Sequence, residues 1–131
     1  MPMELTSEGG KSMVLVVEDE EIVREIVCMD LEDAGFDVLE AKSADEALSL
    51  LRRRYSCGEE VRILFTDIRM PGQLDGWDLA ERARILAPEL GVVYASGNEL
   101  APHRAVPGSI FLAKPYRTPD LLKSLTRLHV R

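Results

Sequence analysis

The 131-residue sequence predicts an α/β fold: a doubly wound, five-stranded parallel sheet with helices on both faces. Three observations predict it. Short apolar runs recur five times along the chain, each the length of a strand buried on both faces. Stretches with helical apolar spacing separate most of them. At the changes of pattern stand turn, capping or stop residues: Gly35, Ser43, Asp75, Pro88 and Thr118-Pro119.

Residues 1–11, "MPMELTSEGGK", read as a polar tail, and residues 12–131 as one domain. The first strand is "MVLVV" (13–17). From Glu20 to Ala34, Val23, Ile26, Val27 and Leu31 follow helical spacing, and Gly35 is placed to cap the end. "FDVLEA" (36–41) is the second strand. Ser43-Ala44-Asp45-Glu46 matches a capping box, and Ala44, Ala47, Leu48 and Leu51 form one apolar face behind it. "RILFT" (62–66) is the third strand. Asp75 then caps a helix bearing Leu79, Ala80, Ala83 and Leu86, which stops near Pro88. "VVYA" (92–95) and "SIFLA" (109–113) are the fourth and fifth strands.

Between these last two lies "SGNELAPHRAVPGS". Only Asn98 to Ala101 and His103 to Val106 are free of helix breakers. This segment is expected to be the least regular and most mobile helix, anchored by Leu100 and Val106, and to be the main switching surface. At the C-terminus Thr118 is placed as a capping hydroxyl before an N1 proline, Pro119. Leu121, Leu122, Leu125 and Leu128 follow on one stripe.

Composition narrows the function. At 46% hydrophobic and 30% charged, the chain suits a globular core. No apolar run approaches the ~20 residues that span a bilayer. With no signal pattern at the N-terminus, a cytoplasmic protein without membrane association is expected. A net charge of −7 argues against nucleic acid, whose phosphates demand Lys and Arg. The basic run "RRRY" (52–55) sits at a helix end, where cations suit the dipole. Cys28 and Cys57 lie in no CxxC or Cys/His cluster and read as reduced thiols.

Open parallel sheets bind ligands at the carboxyl ends of their strands. Glu18-Asp19-Glu20-Glu21 follow the first strand, Asp67 the third, Ser96-Gly97 the fourth and Lys114-Pro115 the fifth. Singly, each has an ordinary explanation: acids begin helices, serines make turns. Together they collect carboxylates, a hydroxyl and an ammonium at one edge. Clustered carboxylates favour a hard cation, and Mg2+ takes oxygen ligands. Asp19 and Asp67 are candidate direct ligands, Glu18 one acting through water, and a backbone carbonyl just after Asp67 a further oxygen. Asp67 is then a candidate nucleophile toward a phosphoryl group, with Lys114 and Ser96 binding its other oxygens.

The motifs "VLVVEDEE", "LFTDIRMPG" with "DGW", "VVYASG" and "FLAKPY" span about residues 12–129, and on them the chain resembles the response-regulator receiver domain of two-component signalling. The resemblance implies a flavodoxin-like (βα)5 sheet of order 2-1-3-4-5. It implies that Asp67 accepts phosphate from a phosphohistidine on a histidine kinase or a histidine phosphotransfer protein, and that output passes to a downstream protein. It implies Mg2+ at Glu18, Asp19, Asp67 and the carbonyl of Arg69. Ser96 takes the place of the switch hydroxyl, Lys114 that of the phosphate-sensing cation, and Lys114–Pro115 that of a cis peptide. Phe111 stands at the aromatic-switch position or packs as an ordinary strand aromatic. Arg69 and Asn98 stand where the family tunes phosphoryl lifetime. Enzyme activity beyond self-phosphorylation and autodephosphorylation is not expected.

The chain departs from the family pattern in three places. Glu18 stands where Asp is more frequent, the Pro71–Asp75 loop is one residue longer, and Phe111 lacks a tyrosine hydroxyl. "YASG" also resembles a subgroup of stand-alone and hybrid-kinase receivers. About one helix follows Lys114, so output is expected through protein contact or through phosphotransfer itself. Two rival classes fit the same residues less well. An Mg2+-dependent aspartyl-phosphate phosphohydrolase needs a second acid where Arg69 stands. A flavodoxin-like ligand-binding domain needs a glycine-rich cradle where Glu18-Asp19-Glu20 stand.

Overall fold

The computed structural model describes residues 12–97 and 104–129. Its elements in chain order are β1 (Met13–Val17), α1 (Glu21–Asp33), β2 (Asp37–Ala41), α2 (Ala44–Ser56), β3 (Ile63–Asp67), α3 (Gly76–Leu86), β4 (Gly91–Ser96), β5 (Ile110–Ala113) and α4 (Thr118–His129). All strand pairs are parallel, in the order β2-β1-β3-β4-β5. The order reverses between β1 and β3, which makes their carboxyl ends the switch point of the sheet.

Strand alternation divides the core in two. Leu15, Val17, Leu64, Val92 and Tyr94 face α2 and α3, where Ala44, Leu48, Leu51, Leu79, Ala80 and Ala83 are buried. Val14, Val16, Ile63, Phe65, Val93 and Ala95 face α1 and α4, where Val27, Cys28, Leu31, Leu121 and Leu125 are buried. The central strands β1, β3 and β4 are covered on both sides, which is why their apolar runs are nearly continuous, whereas the edge strand β2 leaves Asp37 and Glu40 exposed.

The helix ends follow local chemistry. Gly35, at φ +99°, closes α1: its N–H donates to Glu32 O (3.0 Å) and that of Phe36 to Leu31 O (3.0 Å). Only glycine takes that conformation without strain. The Ser43 hydroxyl accepts from Glu46 N–H (3.1 Å), but the Glu46 carboxylate reaches one residue further back, to Lys42 N–H (2.8 Å). Asp75 and Asp78 form a reciprocal capping box on α3.

Several expectations need correction. Ile26 is 54% exposed, because Val23, Val27 and Leu31 recur every four residues and turn that line, with Cys28, toward the sheet. Leu86 is 39% exposed at the last residue of α3. Thr118 does not cap α4. The helix already includes it, and its hydroxyl donates to Asp30 Oδ2 (2.8 Å), while Asp120 Oδ2 accepts from Arg117 N–H (3.3 Å). Asp67 and Ser96 are the last residues of their strands rather than the first beyond them. Residues 98–103 of the segment expected to switch, including Asn98 and Leu100, lie outside the described residues. Its other anchor, Val106, is buried, and its N–H donates to the Tyr94 hydroxyl (3.1 Å). Among the described residues, no helix is long and apolar enough to cross a membrane.

Candidate functional site

Strand register assembles the site. Val17 pairs with Thr66, so the next residues, Glu18 and Asp67, emerge side by side at the switch point. Ser96 pairs with Ala113, and the ladder runs one step further as Lys114 N–H donates to Ser96 O (2.8 Å). Lys114 is thereby delivered to the same edge. Its Nζ lies 3.0 Å from Asp67 Oδ1 and 3.7 Å from Glu18 Oε1. The Lys114–Pro115 peptide is cis.

Asp67 and Glu18 are buried, at 8% and 5% exposure, whereas Asp19 is exposed. Carboxylate oxygens of the three lie within 4.8 Å of one another. Asp67 Oδ1 accepts from both Lys114 Nζ and Ile68 N–H (3.1 Å). Among the described residues, Oδ2 accepts no hydrogen bond. Glu18 Oε2 accepts from Glu20 N–H (3.1 Å), so Glu20 contributes its backbone to the site.

Burial dominates the electrostatics. It pushes the Glu18 carboxyl up from 4.5 to about 7; the Asp67 charge adds to this, while the Glu20 N–H and Lys114 oppose it. Asp67 is also held above the usual carboxylate range by burial, against the pull of Lys114. For Lys114, burial works against the charge, but the bond to Asp67 and the charges of Asp67 and Glu18 outweigh it and hold the ammonium above its ordinary value. Three carboxylates gather together, and one ammonium pairs with two of them, Asp67 and Glu18. This donor set of hard, partly buried oxygens with excess negative charge fits a divalent cation such as Mg2+.

Ser96 is buried at the end of β4. Arg69 is exposed and lines an open cleft of about 580 Å3 with Met70, Pro71, Asp75 and Trp77, beside Asp67. Phe111 is 43% exposed, which excludes its reading as a packed core aromatic. Its ring stacks on Trp77 at 6.3 Å and lies 6.4 Å from Tyr94. The larger cleft, about 940 Å3, lies at the amino ends of β3 and β4 around Arg62, Arg84 and Gly91, and none of these site residues lines it.

Two residues matter that sequence reasoning did not single out. A Cβ on Gly76 would stand 2.2 Å from Asp67 O and 2.7 Å from Ile68 Cα. Only glycine lets α3 begin against the backbone of Asp67 and Ile68, an approach closed by Gly76 N–H donating to Ile68 O (2.8 Å). The Asp-Gly pair holds the signal, in its glycine as well as in its cap. Trp77 is buried, 4.7 Å from the Tyr94 ring, and joins the loop after Asp67 to Phe111.

The comparisons agree with this geometry. The family model described as "Response regulator receiver domain" matches residues 14–126. The sensor kinase CckA of Brucella abortus is 33% identical over 127 residues, covering 94% of this chain and 13% of that protein. The response regulator receiver protein CpdR of the same organism is 29% identical, covering 88% of this chain and 94% of that protein. The crystal structure of a response regulator receiver protein from Sinorhizobium medicae superposes with a TM-score of 0.83 at 32% identity, covering 90% of this chain and 94% of that one. The chain spans 13–34% of the length of three of the curated relatives it matches. With the strand order, the acid cluster and the Lys114 contact all in place, the match over 14–126 has one conclusion: the chain belongs to the response regulator receiver domain family of two-component signalling.

Proposed function

We propose that this domain, residues 12–131, is a cytoplasmic phosphoacceptor that takes a phosphoryl group onto Asp67 from a phosphohistidine of a histidine kinase or a histidine phosphotransfer protein. The observation that carries the reading is the Asp67 carboxylate itself. It stands at a strand end with Lys114 Nζ at 3.0 Å and with oxygens of Glu18 and Asp19 gathered beside it. Lys114 and Ile68 N–H hold Oδ1, which leaves Oδ2 to attack. As the Oδ2–P bond forms, the P–N bond of the donor breaks, and its electron pair returns to the imidazole.

Glu18, Asp19, Asp67 and the Arg69 carbonyl would hold Mg2+, which when bound supplies positive charge against the phosphoryl oxygens. Lys114 then exchanges its Asp67 contact for a phosphoryl oxygen, as a point charge. Ser96 donates to another oxygen, and Arg69 and Asn98 tune the lifetime of the acyl phosphate. Phe111 and the Trp77–Tyr94 rings beneath it carry the change toward a protein partner rather than nucleic acid or membrane, in keeping with the net charge of −7.

The test is labelling with acetyl phosphate and Mg2+, followed by mass spectrometry of the intact protein and its peptides. One phosphoryl group is expected at Asp67, with none in Asp67→Asn. Undiminished labelling of that variant would sink the assignment.

A further inference from the structure

Arg24 sits on α1 beside the acid pocket and bridges three elements. Its Nη1 donates to the backbone carbonyl of Glu18 (2.9 Å), and its Nε to Glu40 Oε1 on β2 (3.0 Å). The Arg24 side chain is only 15% exposed. The Glu18 N–H donates to Ala41 O (3.1 Å), the residue next to Glu40. Glu18 is thus held at its N–H by β2 and at its C=O by α1, and both restraints return to Glu40-Ala41.

The held carbonyl belongs to the peptide unit that joins Glu18 to Asp19. That unit is planar, so holding its oxygen holds the plane that carries the Cα atoms of both residues, and with the Glu18 N–H also bound to Ala41 O it sets the torsion that aims the Glu18 side chain and the point from which Asp19 departs. The two residues lie beyond the last residue of β1, outside its regular ladder. Their carboxylates and that of Asp67 repel one another, and an unrestrained loop would relieve this by swinging outward. A guanidinium suits the task because its rigid fork addresses two acceptors in fixed directions. The Glu40 carboxylate also balances the guanidinium charge, so that the brace brings no net repulsion to a cation site.

We infer that Arg24 is a positioning residue for the divalent-cation site: it orients the Glu18–Asp19 peptide so that both carboxylates converge with Asp67. The inference rests on the Mg2+-dependent reading above.

Mg2+ is titrated into wild type, Arg24→Ala, Arg24→Lys and Glu40→Gln, by calorimetry and by the fluorescence of Trp77, the sole tryptophan. In parallel, acetyl-phosphate labelling is measured across Mg2+ concentrations. Arg24→Ala is expected to bind Mg2+ roughly tenfold more weakly, the low end for loss of a group that orients metal ligands. Its half-saturating Mg2+ for labelling should rise by the same factor, while the labelling rate at saturating Mg2+ returns to the wild-type value. Arg24→Lys should recover part of the affinity, because an ammonium replaces one arm of the fork. Glu40→Gln should show a smaller loss in the same direction. Wild-type Mg2+ affinity in Arg24→Ala, with only a lowered urea midpoint, would overturn the inference and leave Arg24 a structural brace. If Arg24→Ala does not fold, wild-type affinity in both other variants overturns it equally. Failure of wild type to bind Mg2+, or binding indifferent to Asp19→Ala, would overturn the cation reading itself.

Discussion

Glu18→Gln should make the metal-free protein more stable at pH 8 and leave it nearly unchanged at pH 5. The folded Glu18 carboxyl is raised from 4.5 to about 7, chiefly by burial. A raised carboxyl binds its proton more tightly folded than unfolded. The stability this contributes is fully present below pH 4.5 and is lost as pH rises through about 7. The shift corresponds to about 3 kcal/mol, of which roughly 2 kcal/mol is lost between pH 5 and pH 8. Glutamine never ionises, and its amide oxygen can still accept the Glu20 N–H that Oε2 accepts at 3.1 Å. The contact it forfeits, to Lys114 at 3.7 Å, is the weaker of that lysine's two. Urea unfolding in EDTA at the two pH values measures the difference. With a slope of about 2 kcal/mol per molar, the variant's midpoint should gain about 1 M on wild type between pH 5 and pH 8. Mg2+ should then narrow the gap at pH 8 by stabilising wild type more than the variant. An equal midpoint difference at both pH values in EDTA would refute the reasoning, because no cost of ionising Glu18 would then exist.

Other sites make separate demands. Asp19→Ala should abolish Mg2+ binding measured by calorimetry while the urea midpoint in EDTA changes little, since Asp19 is exposed; retained affinity would place the cation elsewhere. Lys114→Ala should still accept phosphate on Asp67 but lose the phosphorylation-dependent change in Trp77 fluorescence, and a normal change in that variant would count against charge sensing by Lys114. Gly76→Ala should destabilise the fold by at least about 3 kcal/mol, because the new methyl meets backbone at 2.2 Å that cannot give way, and a urea midpoint near wild type would contradict this contact.

The elements were legible in the sequence because they are written locally. Continuous apolar runs mark strands covered on both faces, and three- and four-residue spacing marks helices packed on one. Gly35, Ser43 and Asp75 act within a few residues of themselves, so their roles at helix ends are the expected ones. Glu18, Asp19, Asp67 and Lys114 were legible as a group because a parallel sheet gathers the residues at its strand ends along one edge. Exposure was read less well. Helical spacing names a stripe but not its width, and Ile26 and Leu86 fall at its margin.

By itself, then, the sequence determined the order and kind of the elements and the chemical types gathered at the strand ends, since both arise from interactions a few residues long. Only the tertiary structure decided what those residues meet. Thr118 bonds to Asp30 across 88 positions, although its own helix lies beside it in sequence. Trp77, Tyr94 and Phe111 come from three elements and touch only because β4 and β5 are neighbours beneath the start of α3. Arg24 reaches the Glu18 carbonyl and Glu40 together only because β2 lies beside β1 in register, Val16 against Glu40. Burial of Glu18 and exposure of Asp19, adjacent in the chain and alike in charge, likewise depend on which elements close over that edge. Local periodicity encodes which face of an element is apolar. Strand order and register are set by the packing of the whole sheet, and they choose the neighbour.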